Sequence, residues 1–256
     1  MIISKLQGGL GNQLFQWAAA KNLSIKYDCD LFFDKAYFSS HSNGVVTKWD
    51  YEMGHFNNID IKESRLDGNP LNHIYDNFTF QNIPSNSYLD GYWQSEKYFI
   101  VNQQIIRDLL KIPQNTKEYI LKKYPILNSN TVSLHIRRGD YVNLQGIYPL
   151  QTKEYYDNCL SKLCEKDINI IILSNDIDWC INNLSYNNVT YIKNETNIID
   201  LYIMSLCNHN IIANSTFSWW GAWLNENKYK KIFAPKKWFV STYSDQDIIP
   251  NNWIKI

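Results

Sequence analysis

The sequence predicts an α/β protein of two lobes, and three observations carry that expectation. From Thr131 to Ala234, short β-branched runs alternate with helical ones. Such alternation implies right-handed crossovers and a mostly parallel sheet, a Rossmann-like lobe in the broad sense. The N-terminal run Ile2 to Leu6 reads as a strand that empties into a glycine-rich turn and then a helix. Between these regions, Pro125 and the polar run Asn128-Ser129-Asn130 read as a connector. Residues 1–128 are therefore expected as an N-terminal lobe and 129–256 as a C-terminal lobe, with a tail from Trp238 packing back along the protein.

A chain of 256 residues with 45% hydrophobic content can bury a sizeable core. Lys+Arg and Asp+Glu both number 25, so no global field draws it to nucleic acid or to a membrane surface. Any anion site must be local. Nine Trp and eighteen Tyr suit sugar-binding surfaces and ordinary cores alike. No apolar run approaches the roughly 20 residues that span a bilayer, and no basic segment leads into a long apolar one at the N-terminus. A cytoplasmic location is expected, free or peripheral at the inner membrane. Five scattered cysteines without a C-x-x-C pair read as free thiols rather than a zinc site.

In the first lobe, Gln7-Gly8-Gly9-Leu10-Gly11-Asn12-Gln13 precedes a helical pattern running to about Tyr27. Strand, glycine-rich turn and helix let backbone N–H groups approach an anion, which makes Gly9, Gly11, Asn12 and Gln13 candidates. The spacing is not G-x-G-x-x-G, because Leu14 stands where the third glycine belongs, and a NAD site is disfavoured. Asp28-Cys29-Asp30 has a D-x-D form but precedes a strand instead of following one, so it reads as a connector and no metal site is expected. Residues 35–85 show little periodicity. In Tyr88 to Phe99, Tyr92 and Trp93 could stack on a sugar while Asp90 and Gln94 bond its hydroxyls; the rings could equally be core. Ile105 to Leu110 and Glu118 to Tyr124 look helical.

In the second lobe, strand ends carry the polar groups. The run Thr131 to Ile136 stops at Arg137-Arg138-Gly139-Asp140. Ligands of open α/β sheets bind beyond the carboxyl ends of strands, and adjacent arginines there form a fork suited to phosphate oxygens. Ile170 to Leu173 ends in Ser174-Asn175-Asp176, and Ile211 to Ala213 in Asn214-Ser215-Thr216-Phe217-Ser218, where a helix opens. Ser or Thr at that point caps a helix, and capping and anion binding coexist.

The G-G-L-G-N-Q-L-F-Q run at Gly8, G-Y-W-Q-S-E at Gly91, H-I-R-R-G-D-Y at His135, S-N-D at Ser174 and A-N-S-T-F-S-W-W-G-A-W-L at Ala213 together resemble the α-1,2-fucosyltransferases of glycosyltransferase family 11, bacterial type. The resemblance implies a GT-B-type fold, two Rossmann-like lobes facing a cleft, with GDP-L-fucose as donor, no required metal and no cofactor. It implies inversion at the fucose anomeric carbon and transfer to the 2-hydroxyl of a galactose-terminated glycan acceptor in O-antigen, capsule or oligosaccharide synthesis. On that resemblance Arg137 and Arg138 face the pyrophosphate and His135 lies beside the nucleotide. Asp200 aligns with a carboxylate that reads the guanine edge, Ser215, Thr216 and Ser218 hold phosphate oxygens, and the Gly9 to Asn12 loop reaches the donor.

Without a metal, fixed cations must stabilise the leaving group. Candidate bases for the acceptor hydroxyl are Asp140, Asp90, Glu154 and Glu96; Asp140 follows the arginines directly and serves equally well as their orienter. Two other readings stand beside this one: a transferase for another GDP-6-deoxyhexose such as GDP-colitose, and a non-catalytic sugar-binding relative.

Overall fold

The computed structural model describes residues 1–39, 49–63, 71–165, 167–240 and 243–256. The chain forms two compact units, Met1–Lys111 with Ser244–Pro250, and Ile112–Tyr243 with Asn251–Ile256. The division lies before residue 128, and the reason is physical. Helix α4 (Gln114–Lys123) packs on helix α7 (Asn197–Leu206) of the second unit. Glu195, just ahead of α7, pairs with Lys123 at 2.5 Å and accepts from the Tyr124 hydroxyl at 2.7 Å. The tail is also divided: Ser244–Pro250 belongs to the first unit, while β10 (Ile254–Lys255) adds a strand to the second.

The first unit holds β1 (Ile2–Lys5), α1 (Leu10–Tyr27), β2 (Leu31–Asp34), the single turn α2 (Ala36–Ser39), β3 (Asn72–Tyr75), β4 (Ser87–Asp90) and α3 (Gln103–Leu109). Its sheet runs β2-β1-β4-β3 with every pair parallel. Helix α1 is buried on most of its surface, through Leu14, Phe15, Trp17, Ala18 and Ala19. It stops because Asp28 turns left-handed (φ 45°) and its N–H bonds the Ile25 carbonyl. Asp28-Cys29-Asp30 is thus a helix-to-strand connector.

The second unit holds α4, β5 (Thr131–Ile136), α5 (Lys153–Leu163), β6 (Asn169–Ser174), α6 (Ile177–Asn183), β7 (Val189–Tyr191), α7, β8 (His209–Ile211), α8 (Thr216–Leu224), β9 (Ile232–Ala234) and β10. From β5 to β9 these elements follow the expected alternation of strand and helix, while α4 begins four residues before the expected Glu118 and β10 lies outside the expected pattern. The sheet order is β10-β9-β8-β5-β6-β7, again parallel throughout. All six β5 residues are buried, as a central strand covered on both faces requires. Trp219, Trp220 and Trp223 are also buried, with Trp253 against Trp219 at 5.3 Å, so these rings of α8 are core. A Cβ at Gly221 would come within 2.7 Å of the Met204 Cβ, which explains a glycine inside α8 where it meets α7.

The second sheet reverses its order once; in the first, the chain crosses from β2 to the far edge at β3 before coming back to β4 beside β1. The chain leaves β1 for β2 on one side and returns with β4 on the other; it leaves β5 for β6 and β7 and returns with β8. The carboxyl ends of such strand pairs form the crevice in which open α/β sheets bind ligands.

Candidate active site

In the second unit the reversal lies between β5 and β8, and the arginine pair follows β5 there. Arg138 is held on three sides. Its Nε lies 3.3 Å from Asp176 Oδ2, its guanidinium stacks 3.8 Å over the Trp179 ring, and its backbone N–H donates to Asn175 Oδ1 at 3.0 Å. A Cβ at Gly139 would fall 2.1 Å from Asn175 Nδ2, so the glycine leaves room for the side chain that fixes Arg138. Ser174 completes the loop by accepting from the Asp176 N–H at 2.9 Å. Arg137 Nη2 lies 2.7 Å from Asp140 Oδ1, close enough for an ion pair but not aligned as a hydrogen bond. Its guanidinium stands 5.1 Å from the Tyr141 ring. Both arginines remain partly exposed, at 13% and 20%. Two cations are therefore pre-oriented at a strand terminus, Arg137 beside Asp140 and Arg138 beside Asp176.

His135, the residue before that turn in β5, is buried against Phe217 (5.6 Å), and its Nδ1 has no hydrogen-bond partner among the described residues. Burial, assisted by the Arg137 charge, lowers its pKa to about 3. It is neutral at any working pH.

Across the reversal, Ser215 is the N-cap of α8, but its hydroxyl makes no cap bond. The Ser215 N–H donates to the Ala213 carbonyl at 2.8 Å, so the helix N-terminus opens at Thr216, without a side-chain cap from Ser215. Asn214 is differently employed: Nδ2 donates to Trp238 O (3.1 Å) and Oδ1 accepts from Gln151 (3.2 Å). Ser218 also departs from expectation. It is fully buried, and its hydroxyl faces the Ser215 and Ala213 carbonyls, so it shapes the turn and does not present itself to a phosphate.

Asp200 sits in the first turn of α7, with Oδ1 buried and unpartnered among the described residues. Burial, with Glu195 nearby, raises its pKa to about 7. The sign of the linkage follows. The folded state holds this proton more tightly than the unfolded one, so stability falls as pH rises from about 4 through about 7. Asp200→Asn is expected to be more stable than wild type at pH 8 in urea unfolding, and an equal or lower midpoint there would contradict the assignment.

In the first unit the glycine turn and the Gly91 run come together. Gly8 takes φ +76°, and a Cβ on Gly9, the N-cap of α1, would touch the Trp49 ring at 3.0 Å. Gly11 lies inside the first turn of α1. Asn12 Oδ1 accepts from Gln94 Nε2 at 3.0 Å. Gln13 is wholly buried: it donates to the Gly8 and Asp50 carbonyls and accepts from the Glu52 N–H. Its role here is to hold the turn. Gln16 does the same work, accepting from Gln7 N–H and donating to Gly91 O.

Trp93 has no exposed surface and a left-handed backbone (φ 54°). Its ring is core, edge-on to Tyr98 at 5.5 Å, and not a sugar platform. Tyr92, Gln94 and Asp90 stay partly exposed. Asp76 was not legible from the sequence: it accepts from the Tyr92 and Trp93 N–H groups and fixes this turn. Its Asx-type bond to Phe78 N–H, two residues on, is the one local signal it offered. Among the described residues no group of three or more His, Cys, Asp or Glu is arranged to hold a metal, and no helix is long and apolar enough to cross a membrane.

A family model described as glycosyl transferase family 11 matches residues 55–256, most of the chain. The chain belongs to glycosyl transferase family 11. Two Escherichia coli relatives match this family 11 chain over nearly their whole length. The "O-antigen biosynthesis glycosyltransferase WbnK" is 30% identical, covering 99% of each chain. An "Alpha-1,2-colitosyltransferase" is 30% identical, covering 100% of this chain and 99% of its own. The crystal structure of the fucosyltransferase NodZ from Bradyrhizobium shares the fold, with a TM-score of 0.50 at 14% identity over 86% of this chain and 91% of that one. The fold is thus GT-B-like α/β, as the sequence predicted.

Proposed function

We propose that this family 11 glycosyltransferase moves L-fucose from GDP-β-L-fucose to the 2-hydroxyl of a terminal galactoside, with inversion, in surface-glycan synthesis. The observation that carries this reading is the arginine pair at the β5 terminus, beside the reversal between β5 and β8 and in the same sheet as the α8 N-terminus. Breaking the sugar–phosphate bond leaves charge on GDP and an oxocarbenium-like sugar. Arg137 and Arg138, already oriented by Asp140, Tyr141, Asp176 and Trp179, meet that charge without reorganising, and the Ser215 hydroxyl and the α8 N-terminus at Thr216 add to them. His135, being neutral, adds shape and a ring nitrogen but no charge. Asp200, part protonated near neutrality, can both donate to and accept from the guanine edge. Asn175 and Asp176, with Ser174 bracing the loop, position Arg138.

Asp140 fits the role of orienter, since it is ion-paired to Arg137. Glu154 is exposed, and bonding to Thr152 and to its own backbone N–H lowers its pKa, which makes it a poor base. On this reading Gly9, Gly11 and Asn12 approach the donor, while Asp90, Tyr92 and Gln94 read acceptor hydroxyls. A cytoplasmic location, peripheral to the membrane, accords with a nucleotide-sugar donor.

A second donor, GDP-colitose, is favoured by one observation: the full-length relative named as an α-1,2-colitosyltransferase. The phosphate machinery described above serves either sugar. Calorimetry with GDP, followed by a panel of GDP-6-deoxyhexoses with one galactoside and product masses as readout, separates the two. Transfer of fucose supports the first reading, transfer of colitose alone the second, and absence of GDP binding would contradict both.

A further inference from the structure

β1 and β4 are the adjacent central strands of the first sheet, and each of them ends in a charge. Lys5, the last residue of β1, places Nζ 3.1 Å from both oxygens of Asp90, the last residue of β4. The neighbouring carboxylate, Asp34 at the end of β2, is satisfied separately by the Tyr88 hydroxyl (2.7 Å) and the Ala36 N–H (2.8 Å). Lys5 is thus committed to Asp90. Both side chains are 29% exposed, unlike a buried structural pair. The two turns that start beside them are cross-tied by Gln16, from Gln7 N–H to Gly91 O, and by Gln94 to Asn12. Gln94 Oε1 is left buried without a partner among the described residues.

We infer that Lys5 and Asp90 form a clamp for two adjacent hydroxyls of the acceptor sugar, an inference that rests on the reading of the first unit as the acceptor side. An ammonium has three donors and a carboxylate about four acceptor positions. With two contacts used between them, the pair keeps one donor and two acceptor positions directed away from each other's contact. A vicinal diol matches this: one hydroxyl oxygen accepts from Lys5 while the next hydroxyl donates to Asp90. An anion would be repelled by Asp90 and an ammonium by Lys5, so a neutral polyol is the ligand class. Lys5 is the new member of the site, and it acts both directly and by fixing the carboxylate.

Steady-state kinetics with separate acceptor and donor titrations test this. Lys5→Met is expected to raise the acceptor KM about tenfold or more, leaving donor KM and GDP affinity unchanged, and Lys5→Arg to restore most of the loss. Tyr88→Phe, which alters the same sheet edge through Asp34 but leaves the pair intact, is expected to keep the wild-type acceptor KM. Unchanged GDP affinity certifies folding of each variant. An unchanged acceptor KM in Lys5→Met, or an equal rise in Tyr88→Phe, would overturn the clamp while the transferase reading stands. A wild-type protein that transfers from no GDP-sugar would overturn that reading first and the clamp with it.

Discussion

Arg137→Ala and Arg138→Ala are each expected to slow transfer about a hundredfold, a loss on the order of 3 kcal/mol of transition-state stabilisation. The two substitutions reach this by different routes. Removing Arg137 deletes a cation and releases Asp140, adding a free negative charge where the leaving phosphate develops its own. Removing Arg138 strips the cation from over Trp179 and releases Asp176. Both should depress kcat/KM and weaken GDP binding while leaving thermal stability nearly unaltered, because both side chains reach the surface. Lysine at 138 should recover little, since a point charge reproduces neither the stacked plane nor the Nε contact. Stopped assays of kcat/KM check this, and near-wild-type turnover in both alanine variants would remove the arginines from the mechanism.

The second large effect concerns acid. His135 has its folded pKa lowered to about 3, by burial first and the Arg137 charge second. An unfolded histidine titrates near 6.5. Below that value the unfolded chain takes up a proton that the folded protein refuses, so stability falls as pH drops from about 6.5 to about 3. Over the whole interval the loss is on the order of 5 kcal/mol, a large part of an ordinary domain's stability. His209, also lowered, mainly by burial, contributes in the same direction. Urea unfolding at pH 7, 6 and 5 should show this slope in wild type and a distinctly shallower one in His135→Gln. Parallel slopes for the two proteins would mean that His135 does not carry the acid sensitivity.

The second sheet was legible because short β-branched runs alternate with helical ones and the main strands end abruptly in polar residues. Where that pattern lapses, the signal fades. Three of four residues in β3 are exposed, and β10 has only two residues, so neither carries a hydrophobic period. The first unit's site was half legible. Asn12 and Gln13, after the glycines, announce themselves as unusual choices for a connector. The groups that position them, Asp76 and Lys5, meet partners 16 and 85 residues away, and no local pattern records such pairings. Trp93 shows the limit from the other side. An aromatic beside polar neighbours has the same sequence signature whether it faces a ligand or the core, and only packing decides. Asp200 was placed by resemblance alone, and the physical reason to single it out, a buried carboxyl oxygen without a partner, exists only in the fold.

The most direct test of the account is a product analysis. The purified protein is incubated with GDP-β-L-fucose and a set of β-galactosides, and the linkage and anomeric configuration of the product are read by NMR. A single new α-fucosyl residue on O2 of the terminal galactose and released GDP in equal amount are expected, with both formed about a hundredfold more slowly by Arg137→Ala. A β-linked product, a fucose on another hydroxyl, or release of GDP without glycan product would contradict the account.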